Sequence, residues 1–432
     1  MNKKQSHALL SEQAALEYLL ARCETVQETR TLPLEQAFAS YLAEDIQARL
    51  FVPPWDNSAM DGYAINTQSL SADGLSGQNK SSASVSLAVS QRIPAGKSPL
   101  ALQVGTAARI FTGAPVPEGA DAVVIQEDCV VANLLPGVEM VTVPQQVEKG
   151  ANIRRKGEDI KPGDLLLKQG SRIRPQEMGL LASVGYNEVS VYRKLKVAIL
   201  SSGDELVDPG QKPFAGLAPG QIFNSNRYTL AGLLNAMGFE LVDLGIVADD
   251  PAATEAALLA AAREADCVIS TGGGSVGEED HIKEALEKLG HLDIWKLAIK
   301  PGKPLAFGFI NSDGHETPFF GLPGNPAAVL ITFCVFVRPY LMKLAGGQAK
   351  APLMIHAKAG FDRHNKSQRK EYLRARLELG SDGQQTVNIF ANQSSGMLSS
   401  SSWANGFVPI KPAQVIAAGE LIEFVPMSEW LT

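Results

Sequence analysis

The chain has 432 residues, of which 45% are hydrophobic and 20% are charged, as in a folded protein of several domains. Its net charge of −7 argues against general nucleic-acid binding, which needs a basic face. The cysteines (Cys23, Cys129, Cys267 and Cys334) form no CxxC pair, so we expect neither a structural zinc site nor a disulfide framework, and scattered thiols favour a cytoplasmic location.

The first half of the chain divides into a helical part and a β-rich part. Leucines recur on one side of the sequence from residue 8, which predicts a helical segment over 8–45 that includes LEQAFASYLAEDI. Short β-branched runs between Pro- and Gly-containing turns predict an inserted all-β domain at 47–144. Within it, the Ser-, Ala- and Gly-rich stretch 68–90 is expected to be a mobile excursion. The flanking parts, 1–46 and 145–190, are expected to form one mixed, helix-containing domain.

Strand-like and helix-like segments alternate from residue 191 to 346. Runs such as KVAILSS and DCVIST each precede a helix-like segment, which predicts a doubly wound α/β domain with a parallel sheet. The most apolar stretch, 327–337, is too short to cross a bilayer and is expected to be a buried helix, so no membrane association is expected. Beyond it, β-rich runs without helices predict a C-terminal β-barrel at 347–432.

A glycine-rich turn, STGGGSVGEEDHIK, joins one of these strands to a helix. Gly272, Gly274 and Gly277 satisfy the GxGxxG pattern of dinucleotide sites. The turn follows the third strand rather than the first, and the acid at ribose-binding spacing, Asp293, precedes its strand IWKLAI instead of following it. An NAD-dependent dehydrogenase is therefore the weaker alternative.

Carboxylates follow several strands of this domain. Glu205 lies in SSGDEL, Asp249 in GIVADDP and Asp280 in GEEDHIK. Because the carboxyl ends of parallel strands line the ligand crevice, these acids are candidates for holding a divalent cation such as Mg²⁺ beside a phosphate. The alternative for each acid is a helix N-cap or a first-turn position. Whether Asp249 or its neighbour Asp250 is the functional acid stays open.

Lysines surround the Pro-Gly turn of WKLAIKPGKP. Lys296 and Lys300 alternate with the apolar Leu297 and Ile299, which predicts that both lysines project from the same face of one strand. Together with Lys303 they are candidates for binding an oxyanion, and the alternative is three solvated lysines.

GLPGNP predicts a second anion niche. Asn325 is expected to be the N-cap and Pro326 the first residue of the long apolar helix, while Gly324 permits close approach of a ligand. Two later segments leave alternatives open. FDRHNKSQRKEYLRAR is either an anion-binding surface or the solvated face of a strand, and SSGMLSSSSW either presents hydroxyls to a ligand or forms a flexible loop.

Together these motifs resemble a known family. DNSAMDGYA, IFTGAPVPEGADAVV, RRKGEDI, SSGDEL, TGGGSVGEEDHIK, WKLAIKPGKP, GLPGNP and SSGMLSSSSWANGF are similar, in the same order, to motifs of the molybdopterin molybdenumtransferases, which include the E domain of gephyrin. One departure is Gly274, where the family usually carries valine. The resemblance implies four domains and an enzyme that inserts molybdate into adenylylated molybdopterin and releases AMP. It also implies a homodimer with a shared site and transient contact with the molybdopterin adenylyltransferase, and a non-catalytic pterin-binding scaffold is the alternative.

The resemblance also implies roles for individual residues. The expected catalytic positions are Asp61, Thr112, Asp159, Glu205, Asp249, Asp280, Lys296 and Lys300. The expected substrate-binding positions are Gly272, Gly273, Gly274, Ser275, Lys303, Pro323, Gly324, Asn325, Pro326 and Arg369. The expected Mg²⁺ ligands are Glu205, Asp249 and Asp280. Asp61 and Asp159 lie outside the α/β domain, so they can reach its crevice only through chain folding or from a second subunit.

Overall fold

The structure is a computed structural model that describes residues 9–70, 84–135, 138–211, 216–272, 281–381 and 383–431. The chain divides into two compact units. The first contains the described residues up to Glu44, Gln169–Arg174 and those from Val189 onward, and the second contains those of Asp45–Lys168 and Pro175–Glu188. The boundaries of the four expected domains stay a prediction.

The N-terminal segment of the first unit begins with a short helix. α1 spans Glu12–Ala21. Its N-cap is Ser11, whose hydroxyl accepts a hydrogen bond from the amide of Ala14 at 3.2 Å. Ala15 and Leu19 on its inner face are buried in the core of the unit, so packing rather than length stabilises this helix.

The chain after α1 is extended, contrary to the predicted helix over 8–45. β1 (Thr29–Pro33) is followed by a single 3₁₀ turn, Leu34–Gln36. Ala39 has a φ of +64°, which a right-handed helix cannot accommodate, and the amide of Leu42 donates to the carbonyl of Ser171 at 3.0 Å. The prediction of a helix through LEQAFASYLAEDI is therefore wrong.

The second unit is built mainly from strands. They are β2 (Ile46–Gln47), β3 (Asn57–Ser58), β4 (Gly62–Ile65), β5 (Ser84–Ile93), β6 (Thr106–Ile110), β7 (Ala122–Ile125), β8 (Val130–Leu135), β9 (Val138–Pro144), β10 (Ile153–Arg154) and β11 (Leu165–Leu167), followed by the helix α2 (Pro175–Ser183). Six of them form one sheet in the order β7-β4-β6-β5-β9-β8, in which only β5 and β6 are parallel neighbours.

Part of the expected excursion 68–90 is in fact a strand of this sheet. Residues 84–90 belong to β5, whose alternate side chains Val85 and Leu87 are buried against the core of the unit. The prediction of a mobile segment is wrong for these residues, and residues 71–83 lie outside the described part of the chain.

The first unit continues with an α/β region. Its strands are β12 (Glu188–Tyr192), β13 (Lys196–Ser202), β14 (Leu206–Val207), β15 (Ile222–Phe223), β16 (Glu240–Val247), β17 (Cys267–Thr271), β18 (Gly290–Lys296), β19 (Ile299–Lys300), β20 (Pro304–Ser312) and β21 (His315–Leu322). Its helices are α3 (Ser225–Met237), α4 (Pro251–Glu264), α5 (His281–Leu289), α6 (Pro326–Thr332) and α7 (Arg338–Leu344), the last two joined by a π-helical turn, Phe333–Val337.

The main sheet of this region is parallel over four strands. Its order is β16-β13-β17-β21-β20-β18, and the first four run parallel, which confirms the predicted doubly wound sheet. β20 and β18 extend one edge in antiparallel pairing. The reversal between β20 and β21 lies at Asp313 and Gly314, whose φ values of +52° and +84° are those of a two-residue hairpin turn.

The long apolar helix lies in the core. We call Pro326–Leu344 the core helix. Its length and composition would allow it to cross a membrane, but 89% of its most apolar 18-residue stretch is buried inside the structure. The ring of Tyr340 packs against Phe307 and Phe320 at centroid distances of 5.6 and 5.1 Å. The prediction of a buried helix at 327–337 is confirmed.

The C-terminal region is a barrel. Its strands are β22 (Ile355–Ala359), β23 (Arg363–His364), β24 (Lys370–Leu379), β25 (Gln385–Ile389), β26 (Gly406–Ile410), β27 (Val415–Ile416) and β28 (Leu421–Pro426). β24-β25-β22-β28-β26 form a ring that closes through pairing of β26 with β24, so the predicted barrel is confirmed. The expectation that this region lacks helices is wrong, because it contains α8 (Leu398–Trp403) and α9 (Ser428–Leu431).

Candidate active site

A cleft of about 950 Å³ opens at the carboxyl ends of the parallel strands in the first unit. Ser202, Thr271 and Pro323 line it where β13, β17 and β21 end. The N-termini of α3 and of the core helix form another side, and the barrel contributes Arg369 with the segment Gln393–Gly396. We call this space the cleft.

Gly272 occupies a position that only glycine can fill. Its φ is +86°, and a Cβ at this residue would lie 2.3 Å from the carbonyl oxygen of Ser202. Backbone of β17 and β13 therefore comes into close contact at the edge of the cleft. The other expected residues of this turn, Gly273, Gly274, Ser275 and Asp280, lie outside the described part of the chain.

The core helix begins at the cleft as predicted. Asn325 is at the N-cap position and Pro326 is the first helical residue, but the Asn325 side chain makes no capping hydrogen bond. The amide of Ala327 donates instead to the carbonyl of Ser395 at 3.0 Å. Gly324 has no atom within 4 Å of a hypothetical Cβ. The exposed side-chain amide of Asn325 and the open space at Gly324 are therefore available to a ligand.

The strand-end acids differ in what they contact. Glu205 lines the cleft, and its carboxylate lies so close to the backbone of Gly203 that a Cβ there would be 2.5 Å from Oε2. Asp249 accepts a weak hydrogen bond from the hydroxyl of Ser202 at 3.5 Å. Asp250 is the N-cap of α4, since its carboxylate accepts from two amides of the first turn at 3.0 and 3.1 Å. Asp250 therefore has a structural role at the start of α4, and no such capping contact involves the carboxylate of Asp249 among the described hydrogen bonds.

A magnesium site is not formed by the described residues alone. Within the described ranges no three His, Cys, Asp or Glu side chains come together as a metal-binding group. Glu205 and Asp249 are two of the three expected ligands, and the third, Asp280, lies outside those ranges.

The predicted strand carrying both lysines does not exist. Lys296 ends β18, whereas Lys300 belongs to β19, which pairs with the barrel strand β24. Two residues of irregular chain separate the strands, so the period-two argument for a common face is wrong. Lys300 and Lys303 line the cleft, and Lys296 is not among its lining residues.

Lys300 is held by a buried carboxylate. Its ammonium donates to Glu371 Oε1 at 2.9 Å, and Arg363 donates to Glu371 Oε2 at 2.8 Å. Burial alone would raise the pKa of Glu371, but the hydrogen bonds from Arg363 and Lys300 lower that pKa below its usual value. Arg369 donates a long hydrogen bond to the carbonyl of Ile299 at 3.4 Å, so its guanidinium lies beside the same turn.

The remaining expected catalytic residues lie in the second unit. The carboxylate of Asp61 accepts hydrogen bonds at 2.8 Å from both the amide and the hydroxyl of Thr112. The Thr112 amide is the main reason that the pKa of Asp61 lies below its usual range. Asp159 is exposed, and its amide donates to the carbonyl of Val52 at 3.0 Å.

Several cleft residues were not predicted from the sequence. Asn224 caps α3 by accepting from the amide of Arg227 at 3.3 Å, and Asn226 donates to the carbonyl of Gly324 at 2.7 Å. The Asn before an amphipathic run in FNSNRY was the available signal. Asp293, the acid weighed for a ribose, lies within β18 and accepts a hydrogen bond from Tyr18 instead.

Family models match most of the chain. The MoeA N-terminal region (domain I and II) matches residues 10–185, a probable molybdopterin-binding domain matches 198–343, and the MoeA C-terminal region (domain IV) matches 356–427.

Named relatives and a solved structure point to the same family as the family models. A molybdopterin molybdenumtransferase of Haemophilus influenzae is 39% identical over 94% of this chain and 95% of its own length. Another, from a Nostoc species, is 38% identical over 84% of this chain and 80% of its own length. The crystal structure of a molybdopterin biosynthesis MoeA protein from Pyrococcus horikoshii OT3 covers 97% of this chain and all of its own, with 28% identity and a TM-score of 0.78. The chain therefore belongs to the molybdopterin molybdenumtransferase family.

Proposed function

We propose that the cleft is where this transferase moves molybdenum from molybdate to adenylylated molybdopterin with release of AMP. The observation that carries the proposal is the convergence of three features in one cleft: parallel strand ends, the N-terminus of the core helix, and the side chains of Lys300, Lys303 and Arg369. Both substrates are anions, and helix N-termini, lysines and arginines are the groups that bind oxyanions.

The cationic residues have different freedom to bind molybdate. Lys300 already donates to the carboxylate of Glu371, whereas no carboxylate in the described part of the chain pairs with Lys303 or Arg369. We assign Lys303 and Arg369 as the principal molybdate-binding side chains, with Lys300 completing the positive wall. Lys296 keeps its proposed catalytic role from the family resemblance alone.

The pterin substrate would occupy the strand-end side of the cleft. The backbone at Gly272, together with Gly273, Gly274 and Ser275, is the proposed phosphate-binding segment, since glycine permits the close approach that phosphate needs. Pro323, Gly324, Asn325 and Pro326 at the start of the core helix would contact the same substrate. Catalysis would consist mainly of positioning and stabilisation of charge.

Magnesium suits two of the strand-end acids: Glu205 lines the cleft, and Asp249, which is not among the lining residues, contacts the lining residue Ser202. Glu205 and Asp249 supply hard carboxylate oxygens near the strand ends, and with Asp280 they are the proposed ligands. When bound, Mg²⁺ would offset the charge of the pyrophosphate link and make its phosphorus more electrophilic. The chain's own contribution is to hold Asp249 through Ser202 while Asp250 is occupied at the N-terminus of α4.

We propose a cytoplasmic homodimer in which Asp61, Thr112 and Asp159 complete the site of the partner subunit. Support comes from the family resemblance and from the location of these residues in a different compact unit from the cleft. The free cysteines suit a reducing cytoplasm. A transient complex with the molybdopterin adenylyltransferase would deliver the adenylylated pterin.

Multiple-turnover release of AMP tests the proposed reaction. Purified protein with adenylylated molybdopterin and magnesium should release more than one AMP per chain only when molybdate is added. Lys303→Ala should raise the molybdate concentration for half-maximal rate by about tenfold, because one charge-assisted hydrogen bond to molybdate is lost. The pterin concentration for half-maximal rate should change less.

The matched control is Lys288→Ala on the surface of α5, where Lys288 lies 3.8 Å from Glu255. This variant should behave as wild type. AMP release limited to one per chain would instead indicate a pterin-binding scaffold, and an equal change for both substrates in Lys303→Ala would remove the molybdate assignment.

A further inference from the structure

Arg227 is a cation in the first turn of α3, where a positive charge is unfavourable. It is the third residue of the helix, and the positive end of a helix dipole favours acids at such a position. The Arg227 side chain is 24% exposed and pairs with two carboxylates outside the helix. Those partners, and not the stability of α3, therefore account for an arginine at this position.

The first partner of Arg227 follows Glu205 along the chain. Nη1 of Arg227 donates to Asp208 Oδ2 at 2.5 Å. Asp208 is 8% exposed and its Oδ1 has no hydrogen-bond partner among the described residues, so this carboxylate depends on Arg227. Asp208 lies three residues after Glu205, whose carbonyl accepts from the amide of Ile222 at 2.8 Å. Arg227 therefore holds the segment that carries one of the proposed magnesium ligands.

The second partner of Arg227 precedes Asp249 and lies on β16. Nε of Arg227 donates to both oxygens of Asp243, at 2.9 and 2.8 Å. Oδ1 of Asp243 also accepts from the amide of Gly245 at 3.0 Å. The φ of Gly245 is +70°, a backbone conformation that favours glycine. The Asp243 carboxylate thus ties the Arg227 side chain to an irregular point in the backbone of β16.

That irregular point is a β-bulge. β13 and β16 are parallel, and residues 199–201 of β13 face residues 243–246 of β16, so β16 has one residue more than its neighbour. Because side chains alternate between the two faces of a strand, one extra residue moves every later side chain of β16 to the other face. The bulge therefore sets the direction in which the chain leaves β16 for Asp249, and Arg227 holds the carboxylate that closes this bulge.

We propose that Arg227 is a positioning residue for the divalent cation. By holding a carboxylate in each of the two ligand-bearing segments, it fixes the placement of Glu205 relative to Asp249. The inference rests on the proposed function, in which these two acids are magnesium ligands. Groups that orient metal ligands without touching the metal typically change metal affinity by about 10–100-fold when they are lost.

Position and charge predict opposite outcomes when Arg227 is removed. Asp208 and Asp243 supply two negative charges against the one positive charge of Arg227, so the group is negative overall. Without the arginine the group becomes more negative, and Coulomb attraction alone would make the site bind a cation more tightly. Weaker cation binding in an Arg227 variant would therefore come from displaced ligands.

Arg193 provides a matched control in the same compact unit. Its side chain is 22% exposed and also bridges two carboxylates, those of Glu28 at 2.8 Å and Asp266 at 2.6 Å. Asp266 directly precedes β17, so this bridge lies at the amino end of the parallel strands, whereas the cleft opens at their carboxyl ends. Arg193→Gln should therefore destabilise the fold as Arg227→Gln does, without changing the cleft.

The test is Mn²⁺ binding by the full-length protein with AMP present, measured by electron paramagnetic resonance, with Mn²⁺ as the probe for the magnesium site. Arg227→Gln should weaken Mn²⁺ binding by about tenfold, because both ligand-bearing segments are released. Arg193→Gln should bind Mn²⁺ as wild type does. In turnover, Arg227→Gln should raise the Mg²⁺ concentration for half-maximal rate more than it lowers the rate at saturating Mg²⁺.

Arg227→Lys serves as a second variant if Arg227→Gln does not fold. A single ammonium keeps the charge but cannot bond both carboxylates in the geometry of a guanidinium, so this variant should also bind Mn²⁺ more weakly than wild type. Wild-type Mn²⁺ affinity in either folded Arg227 variant, or equal weakening in Arg193→Gln, would overturn the inference while the proposed function stands. A wild-type protein that binds no Mn²⁺ would contradict the proposed magnesium site itself and the inference with it.

Discussion

The ammonium of Lys300 lies 2.9 Å from Glu371 Oε1, so one wall of the cleft is held by an ion pair that joins the α/β region to the barrel. The Glu371 side chain is 3% exposed and also accepts from Arg363. One buried anion thus serves two cations, and the group keeps a net positive charge of one. An oxyanion in the cleft would meet a lysine whose position is already fixed.

Replacing Glu371 should therefore destabilise the fold and also release Lys300 from its fixed position. Glu371→Gln leaves Lys300 and Arg363 without their shared anion, and we expect a loss of about 1–3 kcal/mol in the free energy of unfolding. Denaturant titration measures this loss. Glu378→Gln is the matched control, because Glu378 is an exposed residue of the same strand and accepts a hydrogen bond from Asn388 at 3.0 Å instead of pairing with a cation of the described residues. An equal effect of both substitutions would show that the ion pair contributes nothing particular.

The same pair predicts how stability depends on acid. The pKa of Glu371 in the folded chain is lower than its ordinary value of 4.5, because the hydrogen bonds from Arg363 and Lys300 outweigh burial, which alone would raise it. Its contribution should be complete above pH 4.5 and should be lost as pH falls through the lowered folded pKa. Unfolding free energies measured from pH 7 to pH 3 should fall less steeply in Glu371→Gln than in wild type. Parallel curves for the two proteins would contradict this assignment.

We expect the neighbouring residues Asp249 and Asp250 to have different roles, the first functional and the second structural. Asp249→Ala should abolish magnesium-dependent AMP release with little change in stability. Asp250→Ala removes the N-cap of α4 and should lower the free energy of unfolding by about 0.5–2 kcal/mol while activity remains. Activity assays and thermal melts of both variants check the pair, and the reverse outcome would exchange the two roles.

Two glycines of the cleft should respond differently to a methyl group. Gly272→Ala places a Cβ 2.3 Å from a backbone carbonyl at positive φ, so we expect a destabilised protein, by about 1–3 kcal/mol. Gly324→Ala meets open space and should fold as wild type, but its methyl group should raise the pterin concentration for half-maximal rate. A Gly324→Ala enzyme with wild-type kinetics would show that no substrate approaches this backbone.

The proposed sharing of the site between subunits predicts complementation. Asp61→Ala and Glu205→Gln proteins should each be inactive, and heterodimers formed by mixing and refolding them should regain part of the wild-type rate. Each heterodimer would contain one site with both defects and one with neither. Heterodimers verified by mass that remain inactive would contradict the shared site, because they would show that one chain supplies both Asp61 and Glu205 to each site.

Local signals in the sequence predicted much of the cleft. Gly272, Lys303 and Asn325 stand in short motifs in which glycine, proline and strand ends are recognisable, and all three line the cleft. The failures depended on contacts between distant residues. Lys300 lies in β19, which pairs with the barrel strand β24 and not with the neighbours of β18, so the strand inferred from the spacing of the lysines ends at Lys296.

Backbone conformation and packing also explain why some predictions from sequence patterns were wrong. The helical pattern after residue 33 is overridden at Ala39, where a positive φ turns the chain into pairing with residues more than a hundred positions later. Arg374 is one of the basic residues of FDRHNKSQRKEYLRAR, and only the fold shows that this arginine is buried. Such burial is a property of packing and has no local signature.

Anomalous diffraction from crystals of the full chain with bound tungstate tests most directly whether the cleft is the site of molybdenum transfer. Tungstate has the shape and charge of molybdate, and its metal atom can be located without ambiguity. We predict a single strong peak in the cleft of each chain, within hydrogen-bond reach of Lys303, Arg369 or the segment Gln393–Gly396. A fully occupied peak elsewhere, with the cleft empty, would contradict this prediction.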